Sequence, residues 1–164
     1  MKILDLSAGN RAMWFDREYP DTTFIDIRPE VEPTIVADTT APFHEQLEDK
    51  FDLIVFDPPF ENFGKNNKHG MSRSYGPSKT AQEIRDLIRQ TSRNAWHAAK
   101  PDALMAFKWS DHAQKLGTVL NLVNDYWEPL FANITSSRLR HVCHTYWVML
   151  RRRSDPCSEF TLES

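Results

Sequence analysis

The sequence is poor in cysteine and has no long hydrophobic run. Its two cysteines, Cys143 and Cys157, form no CxxC pair, and so few thiols fit a reducing compartment such as the cytoplasm. No apolar stretch approaches the roughly 18 residues of a membrane-spanning helix, and the first residues lack the apolar core of a secretion signal. These absences predict a cytoplasmic protein without a membrane segment or a disulfide framework.

Glycine is scarce where a nucleotide-binding loop would need it, and positive charge is not in excess. The chain has five glycines in 164 residues, and the turn after its first apolar strand holds Gly9 alone. A dinucleotide-binding loop needs G-x-G-x-x-G to admit a pyrophosphate, so such a cofactor is disfavoured. The net charge of −3 argues against a protein that coats nucleic acid by electrostatics, although it leaves room for a local basic groove.

What is present centres on Asp57. Residues 51–56 are mostly β-branched or aromatic, which predicts a buried strand, and two prolines end it directly after Asp57. Asp57 should therefore stand at the carboxyl end of a central strand, the edge of an open α/β sheet where ligands bind. There its carboxylate and the Pro58 carbonyl can each accept a hydrogen bond from a planar amine, and Phe60 can stack on the attached ring. From these residues alone, an ordinary strand-ending turn explains the pattern equally well.

The turn Asp57-Pro58-Pro59-Phe60 resembles the Asp/Asn/Ser-Pro-Pro-aromatic motif of the amino-methyltransferases, a branch of the class I S-adenosyl-L-methionine (SAM)-dependent methyltransferases. Three upstream stretches resemble the first three motifs of that family in order and spacing: residues 3–10 (ILDLSAGN), 24–27 (FIDI) and 35–38 (IVAD). The resemblance extends over nearly the whole chain. It implies SAM as the cofactor, and the missing G-x-G-x-x-G agrees with this because SAM carries no phosphate.

The resemblance and the element pattern together imply one fold class. It is α/β, a Rossmann-like class I methyltransferase sheet of about seven strands, mostly parallel, with an antiparallel C-terminal hairpin and helices on both faces. Prolines 29 and 33 should trim the helix between strands two and three to a short turn. We expect one domain over residues 1–153 and a polar tail over 154–164. Further helices are predicted over residues 11–19, 41–49 and 111–127, and a long one that Ser78 or Thr80 can cap and that runs through Ala99. The last two strands are predicted near 130–136 and 144–151.

The resemblance also implies where SAM binds. Asp26, about twenty residues after the glycine loop, would accept both ribose hydroxyls. Asp38 and Thr39 would contact the adenine edge, with a solvated loop aspartate as the alternative for Asp38. Amides at the start of the helix over 11–19 would face the methionine carboxylate. The whole implied cofactor-binding set is Asp5, Ser7, Ala8, Gly9, Asn10, Asp26, Ile27, Asp38, Thr39 and Asp57.

Substrate contacts are expected after the catalytic turn, whose implied residues are Asp57, Pro58, Pro59 and Phe60. Residues 61–78 carry cations and aromatics without a hydrophobic period, which indicates a lid or a nucleic-acid-binding loop. A surface excursion with solvated charges is the alternative. Lys108 ends the fifth strand at the same edge, either as a substrate contact or as a lysine that extends into solvent. The predicted substrate-binding residues are Phe60, Lys65, Lys68, Arg73, Tyr75 and Lys108.

Two other polar clusters give weaker indications of function. His141 and His144 have the spacing of metal ligands but no third ligand to match, so no metal site is predicted. Residues 151–153 are three arginines, which we expect at a solvated strand end where they could contact phosphate.

Three functions are compatible with these patterns. The preferred one is a SAM-dependent N-methyltransferase that acts on an exocyclic amine, adenine N6 in DNA or RNA. The second is a methyltransferase for protein lysine or a small-molecule amine, and the third is a non-catalytic methyltransferase-like partner subunit. Larger DNA methyltransferases add a target-recognition region, for which this chain has room only in the 61–78 loop and the termini. Sequence specificity would thus be short and relaxed, or supplied by a partner such as a second copy in a homodimer.

Overall fold

The computed structural model describes residues 1–59, 80–135 and 144–156. Its seven strands are β1 Ile3–Asp5, β2 Thr22–Asp26, β3 Ile35–Val36, β4 Phe51–Phe56, β5 Ala99–Ser110, β6 Trp127–Thr135 and β7 Thr145–Arg152. They form one sheet in the order β3-β2-β1-β4-β5-β7-β6. Strands β1 to β5 pair in parallel, whereas β7 runs antiparallel to both β5 and β6. The predicted fold class, a mostly parallel sheet closed by an antiparallel hairpin, is confirmed.

The long helix before β5 is confirmed as α1, Ala81–Ala98, and its start follows from the sequence. The Thr80 hydroxyl accepts a hydrogen bond from the Glu83 N–H at 3.1 Å, while the Glu83 side chain accepts one from the Thr80 N–H. This capping box satisfies two amides that a helix start would otherwise leave unpaired. The buried residues of α1 recur at helical spacing: Ile84, Ile88, Thr91, Ser92, Ala95 and Ala98.

The core lies between the sheet and α1 together with the short helix α2, Leu116–Val123. Strand neighbours in register point to the same face of a sheet. On the face toward the core, such neighbours are at most 2% exposed: Ile54, Met105, Leu150, Phe56, Phe107 and Val148. The edge Trp127 is also fully buried, and its indole N–H donates to the Ser92 carbonyl at 2.9 Å. This bond fixes the start of β6 against the middle of α1.

The helix predicted over residues 11–19 is wrong. Arg11 has φ +54°, a left-handed conformation that an α-helix does not contain. Its guanidinium donates to the backbone carbonyls of Arg17 and Glu32 and lies 4.3 Å from the Phe24 ring centroid. Trp14 packs edge-on against the same ring at 5.3 Å. These tertiary contacts hold residues 11–19 in an irregular conformation that covers β1 and β2. The helix start whose amides were expected to face the methionine carboxylate is therefore not present in this segment.

The helix predicted over residues 41–49 is reduced to a short turn. Residues 41–49 contain one 3-10 turn, Glu45–Leu47, where the His44 ring accepts a hydrogen bond from the Gln46 N–H at 3.2 Å. The trimmed connection between β2 and β3 is confirmed as the 3-10 turn Pro29–Val31.

The helix predicted over 111–127 spans Leu116–Val123. It starts late because Asp111 is bonded across the sheet edge: its carboxylate accepts the His144 N–H at 2.7 Å, and its own N–H donates to the His144 carbonyl at 3.0 Å. It ends early because Trp127 already belongs to β6. Within the described ranges, no helix is both long and apolar enough to cross a membrane. The domain limit at 153 stays a prediction, and residues 157–164 of the predicted tail lie outside those ranges.

Candidate active site

Three aspartates meet at the carboxyl edge of the sheet. Asp5 ends β1, Asp26 ends β2, and Asp57 directly follows β4. Because β1 lies between β2 and β4 and all three run in parallel, these strand ends are adjacent. Each of the other two carboxylates raises the pKa of Asp5 by its negative charge. The edge therefore concentrates acidic groups on neighbouring strands.

The turn after β1 joins the three strand ends through hydrogen bonds. The Ser7 hydroxyl accepts the Asp57 N–H at 2.9 Å, and the Ser7 N–H donates to Asp5 Oδ1 at 3.1 Å. The Gly9 N–H donates to Asp26 Oδ2 at 2.8 Å. Gly9 has φ +50°, which costs other residues energy, so glycine is favoured at this turn. The structure thus brings Ser7 and Gly9 together with all three aspartates.

Asp5 is fully buried, and its second oxygen is satisfied by a residue that the sequence did not point to. The Trp14 indole N–H donates to Asp5 Oδ2 at 2.8 Å. Burial raises the pKa of Asp5 to about 6, against the lowering effect of the hydrogen bonds from Trp14 and Ser7. No periodicity or motif marks residue 14, because its role depends on the turn folding back over β1.

The titration of Asp5 should be visible in the stability of the protein. Its pKa is raised on folding from 3.8 to about 6, so its stabilising contribution is complete below the unfolded pKa and is lost as the pH rises through about 6. The free energy of unfolding of the wild type, minus that of the non-titrating variant Asp5→Asn, should fall by about 2–3 kcal/mol between about pH 4 and pH 7. Urea unfolding at a series of pH values measures this difference.

Asp52 supplies the control for that series. It is exposed, and hydrogen bonds from Lys100 and the Lys2 N–H lower its pKa. A carboxyl whose pKa is lowered on folding stabilises the protein at pH values above its unfolded pKa. The free energy of unfolding of the wild type, minus that of Asp52→Asn, should therefore not fall between about pH 4 and pH 7. A flat difference for Asp5→Asn as well would contradict the buried, raised pKa of Asp5.

Asp26 is engaged by Arg28, a second residue that the sequence did not point to. Arg28 donates to Asp26 Oδ1 through its N–H at 2.9 Å and its Nε at 3.0 Å, and to Oδ2 through Nη2 at 3.2 Å. Burial would raise the pKa of Asp26, but the hydrogen bonds and charge of Arg28, with the Gly9 N–H, lower it below its ordinary value. With Gly9, all four acceptor positions of this carboxylate are used, so ribose hydroxyls can bind it only if the Arg28 side chain moves.

Asp57 is held by Lys108 from the next strand. The Lys108 ammonium lies 2.7 Å from Asp57 Oδ2, and the side chains are 30% and 13% exposed, respectively. Burial raises the pKa of Asp57, and the hydrogen bond and charge of Lys108 oppose that rise. The strand-end position predicted for Lys108 is confirmed, but the side chain is paired with the carboxylate instead of extending into solvent.

Comparison with solved structures shows which fold the chain has. The chain is similar to a TehB-like SAM-dependent methyltransferase from Corynebacterium glutamicum, with 15% identity, 93% of this chain and 80% of that chain covered, and a TM-score of 0.60. It is also similar to the N-methyltransferase NodS from Bradyrhizobium japonicum in complex with S-adenosyl-L-homocysteine (SAH), with 12% identity, 92% and 77% covered, and a TM-score of 0.58. A third similar structure is a W203A mutant of the 16S rRNA (adenine(1408)-N(1))-methyltransferase from Catenulisporales acidiphilia, with 10% identity, 95% and 86% covered, and a TM-score of 0.57.

The chain has the class I methyltransferase fold. No protein-family profile matches the chain, and no curated protein sequence matches it. The likeness therefore rests on the strand order and on coverage of nearly the whole chain, at low sequence identity.

The class I methyltransferase fold places the other predicted cofactor-binding residues around the same edge, in different environments. Ala8 is buried in the turn, Asn10 is exposed, and Ile27 is 63% exposed directly after Asp26. Asp38 Oδ1 accepts hydrogen bonds from the N–H and hydroxyl of Thr40. The Thr39 hydroxyl is 3.1 Å from the Thr91 hydroxyl of α1, so it fastens this loop to the helix. A contact of these residues with adenine stays a prediction.

The turn predicted to be catalytic is described up to Pro59. Pro58 is buried and Pro59 is partly exposed, and their roles stay predictions. The loop predicted over 61–78 and several predicted site residues lie outside the described residues: Phe60, Lys65, Lys68, Arg73 and Tyr75. The same holds for His141 of the metal-like pair. Within the described ranges, no group of three or more possible ligands could hold a metal ion.

The three arginines after Leu150 lie at the edge opposite to Asp57, because β7 is antiparallel and Arg151 pairs with Leu104 near the amino end of the parallel strands. Each is bound within the protein. Arg151 pairs with Glu128, Arg153 donates to the Asn124 carbonyl at 2.6 Å, and Arg152 lies 3.9 Å from the Trp96 ring centroid with a side chain 9% exposed. The predicted solvated strand end is therefore wrong for Arg152, which is packed against α1.

Proposed function

We propose that this protein is a SAM-dependent N-methyltransferase whose acceptor is an exocyclic amine, adenine N6 in DNA or RNA. The observation that carries the proposal is the hydrogen-bonded continuity of the edge: Asp57 is linked through Ser7 to Asp5 at the end of β1, beside Asp26 at the end of β2. In this proposal Asp57 orients the acceptor amine, and Asp26 at the neighbouring strand end binds the nucleoside of SAM. The proposal combines the class I methyltransferase fold with the Asp57-Pro58 turn of the sequence.

The residues at the edge fit SAM by their chemistry. Asp26 can accept hydrogen bonds from a ribose, once Arg28 has moved, and the turn carrying Ser7 and Gly9 presents a hydroxyl and backbone groups without a phosphate-binding glycine pattern. SAM bound at this edge would supply a sulfonium methyl group, so that the new N–C bond replaces the C–S bond, SAH is left, and the nitrogen gives up one proton to solvent.

Asp57 orients the acceptor in this proposal. Lys108 occupies Oδ2, so the amine would donate to Oδ1 and to the Pro58 carbonyl. Two acceptors aimed at one amino group draw the nitrogen lone pair out of conjugation with the ring and direct it toward the methyl group. Because the residues do this by orientation, positioning contributes most of the rate. A target base inside a duplex would have to leave the stack at a cost of a few kcal/mol.

Adenine is favoured over a lysine or a small amine by one observation. The Asp-Pro-Pro turn presents acceptors suited to a planar amino group such as the exocyclic amine of adenine. A target-recognition partner, supplied by a second copy or another protein, belongs to the same proposal.

Labelling separates the candidate acceptors. The purified protein is incubated with methyl-labelled SAM and, in parallel, with DNA, tRNA, rRNA and protein from cells, and the labelled pool is digested to nucleosides or amino acids. We expect N6-methyladenine from a nucleic-acid pool. Methyl-lysine would replace the proposed acceptor by a protein, and SAM binding without transfer to any pool would favour a non-catalytic subunit.

Calorimetry tests the cofactor separately. We expect SAH to bind the wild type, and Asp26→Ala to bind it about 10-fold or more weakly, since a hydrogen bond to a charged group contributes about 1.5–3 kcal/mol. Asp52→Ala, at the opposite end of β4 from the site, is the control and should bind SAH as the wild type does. Equal affinity for the Asp26 variant would exclude its role at the ribose.

A further inference from the structure

Both residues of the Lys108–Asp57 ion pair are held by further contacts. Lys108 lies on β5 in register with Trp147 of β7, and its ammonium is 5.8 Å from the Trp147 ring centroid. Its Nζ is 2.7 Å from Asp57 Oδ2. The backbone N–H of Asp57 is fixed independently by the Ser7 hydroxyl. Lys108 of β5 therefore holds the Asp57 carboxylate, while Ser7 in the turn after β1 holds the Asp57 backbone.

We propose that Lys108 is a positioning residue, which keeps the Asp57 carboxylate ionised and turns its Oδ1 oxygen toward the methyl acceptor, with Trp147 supporting the ammonium. This inference rests on the proposed function, and it goes beyond it by assigning Lys108 a role through Asp57 instead of a direct contact with substrate.

The charges around Asp57 make this role necessary. Burial disfavours the ionised form of Asp57. On the β1 side lies Asp5, whose own pKa is raised by the charge of Asp57. From the β5 side Lys108 is the cation that favours the ionised form of Asp57. A protonated Asp57 would present a donor on one oxygen and lose the charge that draws an amine N–H, so the acceptor would be held poorly.

In this structure the Lys108 ammonium is committed to Asp57, because it lies 2.7 Å from a carboxylate that is 13% exposed. Separating the pair would leave the carboxylate of Asp57, whose side chain is largely shielded from solvent, without its cation.

The same two strands provide a matched control. Lys100, near the start of β5, pairs with Asp52 near the start of β4, also at 2.7 Å. That pair is more exposed, with side chains 44% and 36% accessible, and lies at the opposite edge of the sheet. Replacing either lysine removes one cation from β5 and one ion pair with an aspartate in or directly after β4. Of the two lysines, Lys108 is the one next to Asp57.

The experiment measures the protonation of Asp57 directly and needs no substrate. The full chain is labelled with aspartate carrying 13C at the side-chain carboxyl, and the Asp57 signal is assigned by its loss in Asp57→Asn. Its titration midpoint is then compared by NMR among the wild type, Lys108→Met, Lys108→Arg and Lys100→Met. Amide spectra confirm that each variant is folded.

We expect the midpoint of Asp57 to shift to higher pH in Lys108→Met and to return toward the wild-type value in Lys108→Arg, which restores a cation. Lys100→Met should leave Asp57 unchanged and raise the midpoint of Asp52 instead. An Asp57 midpoint that is the same in Lys108→Met and the wild type would overturn the proposal.

Activity adds a second readout once an acceptor pool is labelled. The acidic limb of the pH–rate profile should shift to higher pH in Lys108→Met and be restored in Lys108→Arg. A rise in KM with an unshifted profile would instead make Lys108 a substrate contact. If the wild type transfers no methyl group to any pool, the proposed function fails, while the NMR titration still decides whether Lys108 sets the protonation of Asp57.

Discussion

Asp57→Ala should reduce methyl transfer by about 10²- to 10³-fold, a loss of the size seen when one preorganised polar group is removed from an active site. Lys108 holds the carboxylate, and the Ser7 hydroxyl accepts the backbone N–H of Asp57 directly after β4, so alanine removes the carboxylate but keeps the backbone hydrogen bond at the strand end. SAH affinity should stay close to that of the wild type. Initial rates with a labelled acceptor pool and calorimetry with SAH measure the two quantities on the same preparation.

Asp57→Asn and Asp52→Ala make this result specific. Asparagine keeps the shape and one carbonyl acceptor but loses the charge, so its rate should lie between those of the wild type and Asp57→Ala. Asp52→Ala removes another β4 aspartate at the opposite edge and should leave the rate unchanged. Normal turnover in Asp57→Ala together with normal SAH binding would show that Asp57 does not orient the acceptor.

Trp127→Ala should lower the free energy of unfolding by about 3–5 kcal/mol, the range for a buried tryptophan or phenylalanine truncated to alanine. The side chain is fully buried at the start of β6, and its loss would leave a cavity and remove the hydrogen bond to the Ser92 carbonyl of α1. Since whole domains are stable by about 5–15 kcal/mol, this single change could remove a large part of the total. Urea unfolding followed by circular dichroism measures it.

Phe131→Ala is the matched control, because Phe131 lies on the same strand but is 64% exposed. Phe131→Ala should lower the free energy of unfolding by well under half as much as Trp127→Ala. Trp127→Phe keeps most of the volume and loses the indole N–H, so its effect should fall between the two. Equal effects of Trp127→Ala and Phe131→Ala would contradict the burial that separates them.

Trp127 also shows where sequence reasoning succeeded and where it could not. The apolar spacing over 116–123 predicted a helix correctly, but extended it to residue 127 because a tryptophan four residues on continues a helical stripe. In the structure Trp127 begins β6, where it reaches α1 from the sheet. Burial on a helix face and burial on a strand look alike in a short apolar run.

The segment after β1 failed for a different reason. Residues 11–19 contain no proline or glycine, so local preference allowed a helix. Trp14 instead bonds to Asp5, and Arg11 reaches Glu32. Those partners are distant in sequence or on a neighbouring strand, and no local pattern reports them.

The sequence by itself determined the strand at 51–56, the proline-locked Asp57 that follows it and the long helix that ends before β5, because strand-forming residues, rigid turns and helical periodicity act between residues close in the chain. The tertiary structure alone decided which groups meet at the edge: Lys108 with Asp57, Gly9 with Asp26, and Trp14 with Asp5. Such pairs depend on how strands lie side by side and how loops fold back over them. The site therefore takes its residues from local patterns, and its charge state from the packing of the sheet.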